Sequence, residues 1–442
     1  MIASARTLVS GRQAFVRAGL WSLLLRVSGM TSGFALGVVL ARILGPTDFG
    51  IYGLVTTLSA VGMTIAGLGT PQLAVRELSI RSAREDWAGA KTIIYEFGAA
   101  TSIAGFALAA FALMGASFAG VSSFERMLVV QGCILALLTT YTGLLAAELR
   151  GLGALIKGQA MDITVRPALA FVIVGTLLLA GGKMNAMIAL IIQNCVASGA
   201  AIVSLVWVWR AIPDQSRHVQ RSAAIPWIRT ALPLGAVDVL RQFDGSYGII
   251  LVGWFSSSTE LGVFRVAFAC AVLATMPVTI FHILLAPTLS RLHGAGDKNE
   301  MQRLLSWTAA AMTVVMVPAT AAAWLIGRPV IIFVFGAAYA NAWLPLALLT
   351  TAQLVYALFG MGPILLAMCG GERALIRAYA LAIGLAVVTA IPLTLVWGAK
   401  GTAVASLVSA IVIGNYSRWY GRRDLGVEIT FIPGAKKALR SS

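Results

Sequence analysis

Three charged residues recur at every third position of the stretch VDVLRQFDGSYG, which apolar sequence follows; they are Asp238, Arg241 and Asp244. A helix turns about 100° per residue, so it would place the three side chains within an arc of about 120°. Two interpretations follow from this placement. The cluster is either a self-neutralising ion network that stabilises a helix bundle, or the wall of a hydrophilic cavity. In the second case Arg241 contacts an anion, and Asp238 or Asp244 is its partner or a protonatable site.

Two further arginines lie inside apolar stretches. Arg26 lies about nine residues, or ~13 Å, inside the first stretch, which is too deep for it to reach a polar surface easily, so we expect it to face a cavity. Arg265 follows a predicted turn by a few residues, and it either faces a cavity or extends its guanidinium to a nearby polar surface. With the cluster above, these residues form a predicted substrate-binding set of Arg26, Arg241, Asp238, Asp244 and Arg265.

Weaker candidates lie near the ends of apolar stretches and are interpreted first as interface anchors: Glu96, Glu148, Asp162, Arg166 and His282. The four cysteines form no C-x-x-C motif or metal-ligand spacing. The segment from Gly153 to Gly158 has the outer spacing of a P-loop, but Gln159 and Ala160 stand where Lys and Ser or Thr are required. The sequence therefore predicts no catalytic residues, no metal site and no cofactor.

The composition explains why these charges need special positions. Of the 442 residues, 59% are hydrophobic and 11% are charged, whereas a soluble domain has about 25% charged residues. This composition predicts an all-α polytopic membrane protein. The formal net charge is +16, and because the basic residues lie between apolar segments, we expect membrane lipids and not nucleic acid as their partner.

A membrane-spanning helix needs about 20 mostly apolar residues, and the chain offers twelve such segments. The predicted spans are residues 18–40, 49–69, 93–117, 126–149, 162–181, 186–208, 230–254, 262–286, 304–326, 343–368, 374–396 and 401–420. The stretch from Ile326 to Phe335 is either a short interfacial element or part of a span. We expect Pro233, Pro277, Pro318, Pro363 and Pro392 to interrupt or kink five of the spans.

The basic residues also predict orientation. Most of the 33 lysines and arginines, 25 of them, fall in the segments that are cytoplasmic if the N-terminus is inside, and only five fall in the predicted outer loops, at most one to a loop. By the positive-inside rule, both termini are therefore predicted to be cytoplasmic.

One of the outer loops has a counterpart later in the chain. At an offset of 212 residues, VVLARILGPTDFGIYGLV falls on ILVGWFSSSTELGVFRVA, with the shared pattern T-[DE]-[FL]-G-x-[YF]. Locally the pattern is a turn and a helix restart, because Thr can cap the next helix and Gly allows close helix approach. An even number of spans per repeat gives two parallel-related six-helix bundles, predicted as residues 1–209 and 230–442 with a cytoplasmic linker at 210–229.

These segments resemble a known family of transporters. ARILGPTDFGIYGLV, GLGTPQLAVRELS, LPLGAVDVLRQFDGSYGIILVGWFSSSTELGVFRVAFA and IIFVFGAAYANA are similar to the polysaccharide-transporter branch of the multidrug, oligosaccharidyl-lipid and polysaccharide exporter superfamily. The resemblance implies two six-helix bundles around a central cavity. It also implies a multi-pass protein of the plasma (inner) membrane that moves a polyprenyl-diphosphate-linked oligosaccharide to the outer leaflet, for an exopolysaccharide or O-antigen.

The expected partners are therefore the lipid-linked oligosaccharide, membrane lipids and the polysaccharide polymerase machinery. Arginines suit a lipid diphosphate because a guanidinium is permanently charged and can bind phosphate oxygens in a bidentate geometry. An alternative within the same superfamily is a cation-coupled multidrug antiporter, for which an acid-dominated cavity is expected. A membrane-embedded transferase is a third possibility, but it would need a sizeable extramembrane loop with catalytic residues.

Overall fold

The computed structural model describes residues 2–120, 122–213 and 225–430, with side chains from residue 21 in the first range and from residue 227 in the third. Within these ranges every regular element is helical. The α-helices are α1 (Ile2–Gly67), α2 (Thr70–Ala83), α3 (Trp87–Phe118), α4 (Ser123–Gly151), α5 (Leu155–Gln159), α6 (Arg166–Leu179), α7 (Ala186–Ala211), α8 (Ile225–Asp244), α9 (Tyr247–Phe255), α10 (Ser258–Ala274), α11 (Met276–Gly294), α12 (Lys298–Phe335), α13 (Trp343–Leu358), α14 (Gly362–Met368), α15 (Glu372–Trp397) and α16 (Ala399–Tyr420). A π-helical turn covers Ala160–Val165, a second one covers Gly421–Leu425, and a 3-10 turn covers Ala337–Ala342.

The lengths and hydropathy of these helices support the prediction of a polytopic membrane protein. In the described residues, eight helices are long and apolar enough to cross a membrane, or nine if the bent pair α10 and α11 is one span. One of the eight is the 47-residue segment Trp21–Gly67 of α1, which is ~70 Å long and exceeds twice the ~30 Å hydrocarbon thickness. Gly45, with φ 71°, breaks α1. The break lies at the predicted turn, so the parts of α1 before and after it correspond to the first two predicted spans.

Several predicted spans are broken helices. α8 and α9 are separated at Gly245 and Ser246, and α10 and α11 meet at an angle of 44°. Pro277 and Pro363 lie at the starts of α11 and α14, where the predicted spans 262–286 and 343–368 are broken, so the predicted interruption is confirmed at both positions. Pro233, Pro318 and Pro392 lie inside helices, and a kink at these three positions stays a prediction. Proline suits a first helical turn because no backbone N–H is needed there.

α12 resolves the predicted ambiguity around Ile326–Phe335. It runs without a break over 38 residues from Lys298 to Phe335, so this stretch continues the ninth predicted span and is not a separate crossing. α2 places a helix in the connection between the predicted spans 49–69 and 93–117. Of the predicted linker at 210–229, residues 214–224 lie outside the described part.

The chain forms two compact units. The first unit comprises Met1–Val39 and Leu58–Val239, and the second comprises Leu40–Thr57 and Leu240–Ser442. The segment Leu40–Thr57, which contains the first copy of the repeated pattern, therefore packs with the later part of the chain. The predicted halves at 1–209 and 230–442 stay a prediction.

Each unit has its own apolar core. In the first unit, α2, α3, α4 and α7 bury Leu73, Leu78, Phe97, Leu149 and Val208. The core of the second unit is built from α11, α12 and α14 and includes a methionine cluster, namely Met301, Met312, Met316 and Met361. Large apolar side chains such as Phe111 and Leu325 remain exposed, as the lipid-facing surface of a membrane protein requires.

Candidate functional site

The two copies of the repeated pattern, residues 47–52 and 259–264, contact each other within the second unit. We call each copy, with the turn before it, a corner. The Thr47 and Thr259 hydroxyl oxygens lie 3.1 Å apart. A Cβ at Gly50 would overlap the Ser258 carbonyl, and a Cβ at Gly262 would overlap the Pro46 carbonyl. These contacts are reciprocal under the 212-residue offset, so the corners cross about a local two-fold axis. We call this contact the corner crossing.

Arg265 stabilises the corner crossing through hydrogen bonds and contacts with aromatic rings. Its Nη1 donates to the Gly53 carbonyl at 2.8 Å and to Thr57 Oγ1 at 3.4 Å. The guanidinium carbon also lies 5.5 Å from the ring centroids of Phe49 and Tyr52, a cation–π geometry. The guanidinium therefore binds acceptors inside the protein, at residues 53 and 57. The alternative, that it extends to a nearby polar surface, was wrong. A substrate contact by Arg265 stays a prediction.

Two further residues attach the first corner to α12 and the turn after it. Arg42 Nε donates to the Val334 carbonyl at 2.7 Å, and Arg42 Nη2 donates to the Phe333 carbonyl. Tyr339 donates its hydroxyl to the Ala41 carbonyl at 2.8 Å. Carbonyls in the last turn of a helix lack intrahelical donors, so a basic side chain is a natural partner there. This role of Arg42 was not predicted from the sequence, because its acceptors lie about 290 residues later in the chain.

The charged residues of α8 are distributed between two units. In the first unit, Asp238 accepts a hydrogen bond from Gln72 Nε2 of α2. In the second unit, Asp244 accepts one from Ser409 Oγ of α16 at 2.6 Å. Arg241 is exposed. The three residues share one helix, as predicted, but the two aspartates have polar partners on different elements.

Asp244 also lines a cavity of about 260 Å³ in the second unit. The polar part of its wall consists of Asp244, Thr275, Gln353, Ser406, Ser409 and the three tyrosines Tyr247, Tyr356 and Tyr379. Since a water molecule takes about 30 Å³ of liquid volume, the cavity has room for an ion or a few waters. It supports the cavity-wall interpretation for Asp244. Tyr356 and Tyr379 were not predicted from the sequence as cavity residues. The only indication of such a role was a polar hydroxyl group within an apolar span.

A second group of charges lies in the first unit. Arg26 is on α1, Arg150 is at the end of α4, and Asp162 and Arg166 are on the π-helical turn and at the start of α6. Arg166 Nη1 lies 3.7 Å from Asp162 Oδ1. Arg26 and Asp162 both act electrostatically on the Arg150 guanidinium. We call these four residues the inner arginine group.

Some of the weaker candidates differ from expectation. Glu148 is only 1% exposed, and its Oε2 has no hydrogen-bond partner, so its interpretation as an interface anchor was wrong. His282 is partly buried with its Nε2 unpartnered, and its ring meets the edge of Tyr356 at a centroid distance of 6.4 Å. Glu96 is partly exposed, as an interface anchor can be.

Solved structures show where this fold occurs. An inward-facing multidrug resistance MATE family transporter of the MOP superfamily shares 13% identity, with a TM-score of 0.72 over 91% of this chain and 98% of that one. The lipid II flippase MurJ shares 14% identity, with a TM-score of 0.71 over 92% of this chain and 87% of that one.

A MOP superfamily transporter from Pyrococcus furiosus shares 14% identity, with a TM-score of 0.65 over 93% of this chain and 95% of that one. At identities this low, these similarities show a shared fold and nothing more.

Sequence comparison supplies the family. No curated protein matches the chain. Residues 39–344 match the family described as polysaccharide biosynthesis protein. This match covers well over half of the 442 residues, and it agrees with the transporter resemblance seen in the sequence. The chain therefore belongs to the polysaccharide biosynthesis protein family.

Proposed function

We propose that this protein is a flippase that moves a polyprenyl-diphosphate-linked oligosaccharide from the cytoplasmic to the outer leaflet of the plasma membrane. It works by alternating access of two six-helix bundles with twelve spans in total and both termini in the cytoplasm. The family match supports a role in polysaccharide biosynthesis. The product is a surface polysaccharide, and a polymerase acts after the flippase.

The observation that carries this proposal is an arginine deep in an apolar helix, together with a second, exposed arginine on α8. Arg26 is partly buried in the 47-residue apolar segment of α1, and its Nε has no hydrogen-bond partner. Arg241 is exposed on α8. Such residues are costly in a membrane and usually serve an ion or substrate path. The diphosphate of a lipid carrier is the anion that these two arginines suit, because guanidinium groups replace part of its lost hydration.

The membrane potential can drive this movement. An inside-negative potential favours outward movement of negative charge by about 2.3 kcal/mol per charge for each 100 mV. A diphosphate carries more than one negative charge, so the potential alone biases its export.

The first test removes the two arginines separately. Arg26→Ala and Arg241→Ala are each expected to abolish surface polysaccharide while the protein stays in the membrane, because each removes a permanent charge from the substrate path. Surface polysaccharide is measured on whole cells, with membrane fractions checked for the protein. Arg126→Ala is the matched control, since Arg126 is exposed at the start of α4. Normal polysaccharide in both variants would contradict the role assigned to these residues.

A specific observation favours a second candidate, a cation-coupled multidrug antiporter. The cavity around Asp244 combines one carboxylate with three tyrosine rings, and aromatic faces and carboxylates bind cations. Drug accumulation separates the two functions. Loss of drug efflux with intact polysaccharide in a deletion strain would favour the antiporter, and the opposite result would favour the flippase.

A further inference from the structure

We propose that Arg150 and Arg166, together with Arg26, form a binding site for the phosphate or diphosphate of a lipid headgroup in the first unit. This inference rests on the proposed function only for the identity of the lipid. The site itself follows from how the helices of this unit bring Arg150 close to Arg26 and to the Asp162–Arg166 pair.

The π-helical turn holds the group together. Thr164 Oγ1 donates to the Leu25 carbonyl at 2.7 Å, and the Ile163 carbonyl packs so closely on Gly29 that a Cβ there would overlap it. These two contacts fix the turn against the part of α1 that carries Arg26. π-helical turns occur frequently at functional sites.

α5 places Arg150 beside the same turn. A Cβ at Gly158 would lie 3.1 Å from Arg150 Cγ, so the aliphatic part of the Arg150 side chain packs against α5 at this glycine. Glu148 precedes Arg150 by two residues and is therefore about 200° away around α4. Its carboxylate faces a different direction from the Arg150 guanidinium.

The group has a surplus of positive charge and of unused donors. The group holds three guanidinium groups and one carboxylate: Asp162 lies near Arg166 and acts electrostatically on Arg150, and Arg26 acts on Arg150. Buried nitrogens of all three arginines lack a hydrogen-bond acceptor: Arg26 Nε, Arg150 Nε and Arg166 Nη1. The last of these has only the ion pair with Asp162, and at 3.7 Å that separation is too long for a hydrogen bond. Buried donors are normally satisfied, so the group is built for an acceptor that it does not contain.

Phosphate oxygens match this requirement. Guanidinium groups bind phosphate through parallel N–H donors, and these charge-assisted bonds are stronger than neutral ones. Arg150 and Arg166 flank a connection that is predicted to be cytoplasmic, where a lipid-linked substrate is made. Their side chains are partly exposed, so a headgroup can approach them. Asp162 keeps Arg166 in position and competes weakly with the incoming phosphate.

Two lipids share this chemistry, namely the polyprenyl diphosphate carrier and an ordinary anionic phospholipid. Binding of undecaprenyl diphosphate and of phosphatidylglycerol to the full-length protein in neutral detergent is measured by native mass spectrometry. Undecaprenol, which has the same chain without phosphate, reports binding by the chain alone. The variants are the double substitution Arg150→Gln with Arg166→Gln, and the control Arg126→Gln with Lys183→Gln. The control removes two exposed positive charges from the same unit.

We expect the Arg150→Gln, Arg166→Gln variant to bind undecaprenyl diphosphate at least about tenfold more weakly, because each lost charge-assisted hydrogen bond costs that much. The control variant is expected to bind as the wild type does. Weaker binding of undecaprenyl diphosphate alone supports a substrate site. Weaker binding of both lipids supports a site for phosphate headgroups in general. Unchanged binding of both lipids would overturn the proposal.

A variant that binds more tightly shows that weaker binding in the arginine variant is not caused by misfolding. Asp162→Asn removes the competing carboxylate and is expected to tighten phosphate binding severalfold, which a damaged protein would not do. Unchanged or weaker binding in this variant would contradict the role given to Asp162. These measurements need no transport, so they stay valid if the flippase proposal fails. If the arginine site fails, the polysaccharide test of Arg241 is unaffected.

Discussion

At the scale of single residues, two glycines determine whether the corner crossing can form. Gly50 and Gly262 each face a backbone carbonyl of the other corner, from Ser258 and Pro46. A backbone carbonyl cannot move aside as a flexible side chain can. Any side chain at either position must therefore separate the two corners and displace the bonds that Arg265 makes to Gly53 and Thr57.

We expect Gly262→Ala to destabilise the protein by about 1–3 kcal/mol, the usual cost of overpacking a close contact. The thermal unfolding midpoint in detergent measures this change. Gly384→Ala is the matched control, since Gly384 lies inside α15 with no neighbouring atom within 4 Å of an added Cβ. Ala is the better helix former, so the control variant should be unchanged or slightly more stable. Equal midpoints for the two variants would contradict the assigned role of Gly262.

The sequence predicted part of this site and missed the rest. The repeat predicted two matching corners, and Gly as the residue of close helix approach is confirmed at Gly50 and Gly262. The partner of Arg265 was missed because a single apolar stretch does not indicate which distant segment packs on it. The signal was nevertheless present, since Gly53 precedes Arg265 by the same 212 residues that relate the repeats.

At the scale of elements, one carboxylate attaches the segment after α16 to the second unit. Arg418 Nε donates to Glu428 Oε1 at 2.8 Å, and Arg422 pairs with the other carboxylate oxygen. Gln302 at the start of α12 donates to the Glu428 carbonyl at 2.7 Å and accepts from its N–H at 2.6 Å. Val427 and Ile429 on either side enter the core.

The protonation state of Glu428 should control this attachment. Burial raises the pKa of its carboxyl, but hydrogen bonds from Arg418 and Arg422 outweigh burial, and the net pKa lies below the usual value. The ionised form therefore stabilises the folded state at pH values above about 4.5, near the ordinary pKa of glutamate, and this stabilisation is lost as the pH falls through the lowered pKa.

Glu428→Gln should release residues 427–430 at neutral pH, at a cost of about 1.5–3 kcal/mol for the lost charged hydrogen bonds. Hydrogen exchange of these amides measures the effect. In the wild type, protection should be constant from pH 7 to about pH 5 and fall below that, whereas the variant should lack this pH dependence. Asp424→Asn is the control, because Asp424 is an exposed carboxylate in the same segment. Wild-type protection in Glu428→Gln would contradict the attachment.

The broken helices show a limit of sequence reasoning at this scale. Hydropathy averaged over a span locates α8 with α9, and α10 with α11, as continuous apolar stretches. It cannot detect the break at Gly245, because that break depends on the backbone hydrogen bonds of one turn and not on the apolar content of the segment. The break at Thr275 was indicated by Pro277, not by hydropathy. Gly45 was predictable because Gly followed by Pro signals a turn within a few residues.

At the scale of the whole molecule, composition alone indicated a polytopic membrane protein, and the family match confirms the transporter resemblance at the level of the polysaccharide biosynthesis proteins. The inner arginine group was only partly foreseen. Arg26 was selected for its depth in the first span, but Arg166 was interpreted as an interface anchor and Arg150 was not selected. Their proximity to Arg26 depends on how the π-helical turn packs against α1. The cargo cannot be read from helix positions, because one fold carries several kinds of transport.

Transport by the purified protein tests the central claim most directly. The protein is reconstituted into liposomes that contain a polyprenyl-diphosphate-linked oligosaccharide in both leaflets, and an added glycosidase cleaves the glycans that it can reach. A flippase returns lipid from the inner leaflet, so cleavage should proceed until nearly the whole pool is consumed. Vesicles without protein should stop once the outer leaflet is consumed. If vesicles with the wild-type protein also stop at the outer leaflet, with an inside-negative potential imposed or without it, the protein is not a flippase for this lipid.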